Sequence, residues 1–213
     1  MRKLLAIGFK KKATRILFLA SGRGSNFEKA VEKLRKSKVS VEFVGLLTDN
    51  PKAKAIDIAK KLKIPVTIVS YADFEEKSSY HSTFLGKTKE LNPELIVACG
   101  YMRILKPEFV QFFAHRILNI HPSLLPAFPG LDAQKQAIDY GAKVSGCTVH
   151  FIEEGVDTGP IVLQKSIEIK PEWGVIELSR AILAEEHKLL PAAIQLFCDK
   201  KLKIKGRKVE IIK

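Results

Sequence analysis

Apolar residues fall into short unbroken runs separated by stretches of helical periodicity. TRILFLA at 14–20, VEFVGLLTD at 41–49, VTIV at 66–69 and ELIVACG at 94–100 lack the polar alternation of a half-exposed strand, so each reads as a strand buried on both faces. Between them, Phe27, Ala30, Val31 and Leu34 recur at helical spacing. Further helices are predicted over 53–62, over 73–90 from a cap near Asp73, and from Pro107 to about His115, with proline at its first turn. Strands alternating with helices predict an α/β domain, a mostly parallel sheet with helices on both faces.

The pattern changes in the second half. A helix over 132–140 ends at Gly141, and VSGCTVHFI at 144–152 then alternates Cys147, Val149 and Phe151 against Thr148, His150 and Ile152. Only EEGVDTG separates it from PIVLQKSIEI at 160–169, too short a link for a helical crossover. An antiparallel hairpin is therefore expected in the C-terminal half, making the sheet mixed. A long helix follows over 175–198, its apolar repeat interrupted by Glu185, Glu186 and His187. The basic tail after Lys200 reads as a short hairpin turning at Lys205 and Gly206. The predicted organisation is a basic N-terminal extension over 1–13 and a single domain over 14–213, a size that one core can serve.

Composition narrows the setting. No apolar run reaches the roughly 18 residues that a membrane span needs. MRKLLAIGFKKK carries an apolar patch too short for a signal peptide, and reads as a poorly ordered extension or, alternatively, an organelle-targeting segment. Cys99, Cys147 and Cys198 are widely spaced with no CxxC, which supports neither a disulfide framework nor a zinc site and favours a reducing cytoplasm. The net charge of +13 raises the question of nucleic acid. The lysines are scattered with little aromatic interleaving, so solvated helix faces are expected and no nucleic-acid partner. The same excess attracts anionic small substrates.

Chemistry concentrates in NIHPSLLPAFPG, residues 119–130. Successive strand side chains point to opposite faces, so Asn119 and His121 share one face at a strand end. Pro122, Pro126 and Pro129 then stiffen the loop that follows. The plainer reading is a surface turn beside a core histidine. SGRGSN at 21–26 joins the first strand to its helix, where glycines and a helix N-terminus suit a phosphate. Phe27 stands where a third dinucleotide glycine would be, and no GKS or GKT follows, leaving a cradle for a smaller phosphate or a plain turn. Met102 to Leu105 follow the fourth strand, placed to line a pocket at the carboxyl ends or to pack their own helix. Asp157 lies in the short hairpin link. An imidazole beside a carboxylate moves protons near neutral pH, and an amide N–H can hold a developing oxyanion. No serine or cysteine stands out as an activated nucleophile, which points to direct attack on a carbonyl rather than a covalent enzyme intermediate.

NIHPSLLPAFPG followed by TVHFIEEGVDTGPIVLQ resembles the folate-dependent formyltransferases, in particular those acting on glycinamide ribonucleotide. SGRGSN, GYMRIL and AEEH match the same family in order, so the resemblance runs from about Arg15 to Cys198. It implies a Rossmann-like formyltransferase fold and transfer of the formyl group of 10-formyltetrahydrofolate to the amino group of glycinamide ribonucleotide, in purine biosynthesis and without a metal. It further implies a catalytic trio of Asn119, His121 and Asp157, with His121 transferring the proton. Gly24, Ser25, Asn26, Glu185 and Glu186 would hold the ribonucleotide. Lys77, Met102, Arg103, Ile104, Leu105 and Asn119, with Glu153, Glu154, Gly155, Val156 and Asp157, would receive the folate. The chain would act in the cytoplasm as a monomer or homodimer, with no membrane partner. Alternatives are a formyltetrahydrofolate hydrolase, which uses water as acceptor, and a nonenzymatic nucleotide-binding protein. Methionyl-tRNA formyltransferases share the trio but carry a C-terminal domain, for which about 15 residues after Cys198 are too few. The hydrolases carry an extra N-terminal domain with no room before Arg15. Asp132, Ala133 and Gln134 depart from the family's more His-rich stretch.

Overall fold

The computed structural model describes residues 12–212, so most of the extension expected over 1–13 lies outside the described residues. Nine strands form one sheet in the order β3-β2-β1-β4-β5-β6-β7-β9-β8. The first five are β1 (Thr14–Leu19), β2 (Val41–Thr48), β3 (Val66–Ile68), β4 (Leu95–Ala98) and β5 (Ile117–His121), all mutually parallel. The chain winds outward from β1 to β3 and then returns to lay β4 on the other side of β1. That reversal opens a crevice at the carboxyl ends of β1 and β4, where ligands bind in sheets of this kind.

Strands β6 (Val144–Phe151) and β7 (Ile161–Glu168) are antiparallel, as the short link requires, and β6 is also antiparallel to β5. The terminal hairpin of β8 (Leu202–Lys205) and β9 (Lys208–Ile211) adds to the β7 edge. Its turn falls at Gly206 and Arg207, one residue later than expected, because Lys205 and Lys208 pair as the last rung.

The uninterrupted apolar runs are explained by two cores. Ile16 and Phe18 of β1 face one cluster with α1 (Ser25–Lys36), α2 (Ala55–Lys61), α5 (Ala133–Asp139) and α6 (Val175–Cys198). Leu17 and Leu19 face the other, with α3 (Lys77–Leu91) and α4 (Pro107–Phe112). In α6 the residues Leu178, Ile182, Glu186, Leu190 and Ile194 are all buried, at the spacing of one helix face. A carboxylate therefore occupies the middle of an apolar stripe.

The cap expected near Asp73 is not there. Tyr71–Asp73 is a turn of 3-10 helix whose Asp73 carboxylate accepts from Ser70 Oγ at 2.8 Å, so α3 starts four residues later. Among the described residues no helix is long and apolar enough to cross a membrane.

Candidate active site

On β5, Leu118 and Ile120 turn into the larger core, which sends Asn119 and His121 to the opposite face. The antiparallel register sets His150 directly across from Asn119 and Thr148 across from His121. Four polar side chains therefore project together from the ends of two strands. Asp157 reaches them from the β6–β7 link, with a left-handed backbone at φ 52°. Its Oδ2 lies 3.2 Å from His121 Nδ1 and its Oδ1 lies 3.5 Å from His150 Nε2. The Gly130 N–H donates to the same Oδ2 at 2.8 Å, which ties the end of the proline loop to the carboxylate.

The hydrogen bonds constrain the protons. His121 Nε2 faces the Phe128 carbonyl at 2.8 Å, and a carbonyl only accepts, so Nε2 carries a hydrogen. Its other nitrogen meets the Asp157 carboxylate, a contact that becomes a hydrogen bond when the ring takes up a second proton. Burial pushes His121 below its ordinary pKa, and the His150 ring acts in the same sense, against the Phe128 carbonyl and Asp157. Burial acts to raise Asp157, but His150, the Gly130 N–H and the His121 ring outweigh it and hold the carboxyl below the usual range. His150 Nδ1 donates to the Phe151 carbonyl at 2.8 Å, and its Nε2 stands 3.2 Å from Asn119 Nδ2. Without a proton that nitrogen accepts from Asn119; with one it points at Asp157.

The loop between β5 and α5 is held from below. Thr148 Oγ1 donates to the Ser123 carbonyl at 2.7 Å and accepts from Leu125 N–H at 3.1 Å and Gln164 Nε2 at 3.0 Å. Gln164 Nε2 also donates to the Leu125 carbonyl at 2.8 Å, and Ser123 Oγ to the Ala127 carbonyl at 2.5 Å. The Leu125–Pro126 peptide is cis. Together these bonds fix the stretch that delivers the Phe128 carbonyl to His121.

At the end of β1 the chain turns through Gly24, whose φ is 78° and which precedes α1 with no side chain capping it. A Cβ here would lie 2.7 Å from Ala55 Cβ and 2.8 Å from Ala55 Cα, so α2 packs directly on the turn. The first N–H groups of α1, from Ser25 and Asn26, lack partners within the helix and receive no side-chain cap from Gly24, the condition under which a helix start takes an anion. Asn26 Nδ2 donates to Glu186 Oε2 at 2.8 Å, while Asn26 Oδ1 is buried without a partner. Burial raises the Glu186 carboxyl. Glu185 instead pairs with Lys188 at 2.7 Å. Glu186 and Asn26 are thus brought together, and Glu185 is engaged on its own helix.

Leu19 pairs with Ala98 and Ala98 with Asn119, so the turn and Asn119 end strands on either side of β4, two spacings apart, roughly 10 Å. The segment after β4 lies between. Its Leu105 packs into the core beside Phe109, whereas Met102 and Ile104 are 63% and 67% exposed and Val156 is 52% exposed. These large apolar surfaces stand open at the end of the sheet where Gln111 of α4 binds Glu154 at 2.8 Å. Glu153 is half-buried and Gly155 exposed. Lys77 Nζ donates to the Phe74 carbonyl at 2.5 Å and sits 4.4 Å from the Tyr71 ring, the same ring that Arg103 covers at 4.0 Å.

A separate cavity of about 590 Å³, lined in part by Thr14, Glu94, His115 and Arg116, lies at the amino ends of these strands, remote from His121. Among the described residues no group of three or more His, Cys, Asp or Glu side chains is arranged to hold a metal ion. His150 and Thr148 are the residues that sequence reasoning passed over. Alternation set them on the face opposite Cys147, Val149 and Phe151 without giving them a role, and both are buried, at 1% and 0% exposure. A histidine and a threonine recurring with period two opposite a loop rich in proline were the available signal.

A doubly wound sheet with an imidazole–carboxylate pair and an amide at its carboxyl edge, beside a glycine turn and an uncapped helix start, fits an enzyme of group transfer. The chain belongs to the formyl transferase family, whose model matches residues 14–194. It is 40% identical over 176 residues to a phosphoribosylglycinamide formyltransferase of Bacillus subtilis (strain 168), covering 83% of this chain and 90% of that protein. A human trifunctional purine biosynthetic protein adenosine-3 is 36% identical over 188 residues, covering 88% of this chain but 19% of the longer protein. A crystal structure of glycinamide ribonucleotide transformylase 1 from Symbiobacterium toebii superposes with a TM-score of 0.93 at 36% identity, covering all of both chains.

Proposed function

We propose that this chain transfers the formyl group of 10-formyltetrahydrofolate to the amino group of glycinamide ribonucleotide, a step of purine biosynthesis. The observation that carries the reading is the His121–Asp157 contact at 3.2 Å beside Asn119, between an uncapped helix start and a row of exposed apolar side chains. The ribonucleotide phosphate binds at Gly24, Ser25 and Asn26, with Glu186 and Glu185 meeting the rest of that substrate. The folate ring lies against Met102 to Leu105 and residues 153–157, with Lys77 and Arg103 toward its anionic end. The substrates meet between the two, in the cytoplasm, on a monomer or a homodimer.

The neutral amine nitrogen attacks the formyl carbon, forming a C–N bond and placing negative charge on the carbonyl oxygen. An Asn119 N–H stabilises that oxyanion. The amine must lose a proton and the folate nitrogen must gain one before the old C–N bond breaks, leaving tetrahydrofolate and the formylated amine. His121 and Asp157 hold that mobile proton. Because His121 Nε2 is committed to the Phe128 carbonyl and Nδ1 to Asp157, its exchange with substrate requires one of these bonds to open or the carboxylate to relay.

The test is a formyl-transfer assay with both substrates on wild type and His121→Ala. Wild type should form formylated ribonucleotide, and the variant should lose about 10²- to 10⁴-fold in turnover while keeping its circular dichroism spectrum. Absence of transfer in wild type would overturn the proposal, and release of formate without ribonucleotide would make water the acceptor.

A further inference from the structure

At the crevice between the two substrate regions lies a buried charge that the chemistry above does not use. Asp49 follows the last residue of β2, and its side chain is 2% exposed. A carboxylate so far from water is costly unless each oxygen is held by a donor. Oδ1 accepts from Ser21 Oγ at 2.5 Å, and Oδ2 accepts from Arg103 Nε at 2.9 Å. The Asp49 carbonyl accepts from the Tyr71 N–H at 3.0 Å. One residue therefore ties down the end of β1, the segment after β4 and the turn after β3.

The bonds also have a direction. Because Asp49 only accepts, it fixes the Ser21 hydroxyl proton toward itself, and the freed lone pair accepts the Met102 N–H at 3.0 Å. Arg103 is gripped through Nε alone, with its Cζ 4.0 Å from the centre of the Tyr71 ring. Its two terminal nitrogens have no hydrogen-bond partner among the described residues, and the side chain is 43% exposed. The acid thus orders Met102 and Arg103 together, backbone of one and side chain of the other, while leaving the fork of the guanidinium open for an anionic group.

We propose that Asp49 is a positioning residue for the folate co-substrate, acting through Arg103 and Ser21 and touching no reacting atom. The inference rests on the functional reading above, which puts folate on 102–105. Arg103 held by a charged partner presents its remaining donors in one orientation. With the partner neutral, the guanidinium is free to swing on its flexible stem and the 101–105 backbone loses its anchor at Met102. The ribonucleotide cradle keeps its own supports, Ala55 against Gly24 and Glu186 on Asn26.

The experiment compares wild type, Asp49→Asn, Arg103→Ala and the double variant by steady-state kinetics in each substrate, with tetrahydrofolate titrated by fluorescence and thermal unfolding followed for all four. Asp49→Asn should raise KM for 10-formyltetrahydrofolate and the tetrahydrofolate Kd about 10-fold or more, as expected for a lost charge-assisted bond. KM for the ribonucleotide and kcat should stay within about 3-fold. In the Arg103→Ala background the same substitution should cost clearly less than in wild type, because the part of its effect that runs through that side chain is already gone and only the Ser21–Met102 part remains. Equal rises in both KM values, an unchanged folate Kd, or full additivity with Arg103→Ala would overturn the proposal. If wild type transfers formyl normally but Asp49→Asn leaves folate binding unchanged, only the role of Asp49 fails. If wild type neither transfers nor binds tetrahydrofolate, the functional reading fails and this role falls with it.

Discussion

Replacing Thr148 by valine removes one hydroxyl and keeps the shape of the side chain. That oxygen is completely buried and makes three hydrogen bonds, one donated to Ser123 and two accepted, from Leu125 and Gln164. Gln164 retains the Leu125 carbonyl as a partner, so its loss is partial. The Leu125 N–H and the Ser123 carbonyl lose this partner in a fully buried setting, at about 1–3 kcal/mol each. The expected destabilisation is about 2–5 kcal/mol, which in a chain of this length lowers Tm by roughly 5–15 °C. Activity should fall further than stability accounts for, because the loosened loop carries the Phe128 carbonyl that fixes His121. Thr148→Ser keeps the hydroxyl and loses only a buried methyl, at about 1 kcal/mol. Differential scanning calorimetry and formyl-transfer rates well below Tm check both. A valine variant that melts within about 2 °C of wild type, or a serine variant that behaves like valine, would refute the role assigned to the hydroxyl.

Gly24→Ala forces a left-handed backbone on a residue with a Cβ, at about 1–2 kcal/mol, and drives that Cβ into Ala55. Tm should fall by about 4 °C or more and KM for the ribonucleotide should rise, measured against an unchanged folate KM. Glu186 has its pKa raised by burial, so its contribution to stability is full below the unfolded carboxylate pKa and is lost as pH rises through the folded value. Glu186→Gln should therefore gain Tm relative to wild type at neutral pH and lose that gain as pH falls to the unfolded carboxylate pKa; a pH-independent difference would contradict this. Asp157 has its pKa lowered, so the stability it brings is present above the unfolded pKa and disappears as pH falls through the folded one. Asp157→Asn should cost about 10-fold or more in kcat with smaller changes in either KM, and its Tm deficit should shrink toward acid pH.

The parallel half of the fold was readable because β1, β2 and β4 are apolar on both sides and end in glycine or polar turns, a pattern only a doubly covered sheet explains. α6 was readable from end to end because its apolar repeat resumes beyond the interruption at Glu185, Glu186 and His187. Asn119 and His121 could be paired from their spacing alone. What joined them to Asp157 could not, since that depends on β6 lying antiparallel to β5, a contact between segments far apart in the chain. His150 was hidden for the same reason: alternation says which residues share a face and not whether that face is covered. Asp73 misled because a residue suited to capping a helix was already satisfied by Ser70. The interplay of Ser21, Asp49 and Arg103 unites residues from three loops, and no local pattern announces it.

The alignment of Asn119 with His150 across β5 and β6 limits how this chain can vary. Side chains invert with every step along a strand, so one residue inserted or deleted between Val144 and His150 would send the imidazole into the larger core and bring an apolar neighbour to face the amide. The ribbon would still form and the protein would still look folded, but its chemistry would be gone. Length changes in a connection that carries none of these groups, such as the turn at Gly206 and Arg207, bring no such penalty, so a lineage of such proteins should drift there while keeping the spacing within β6 fixed to the residue.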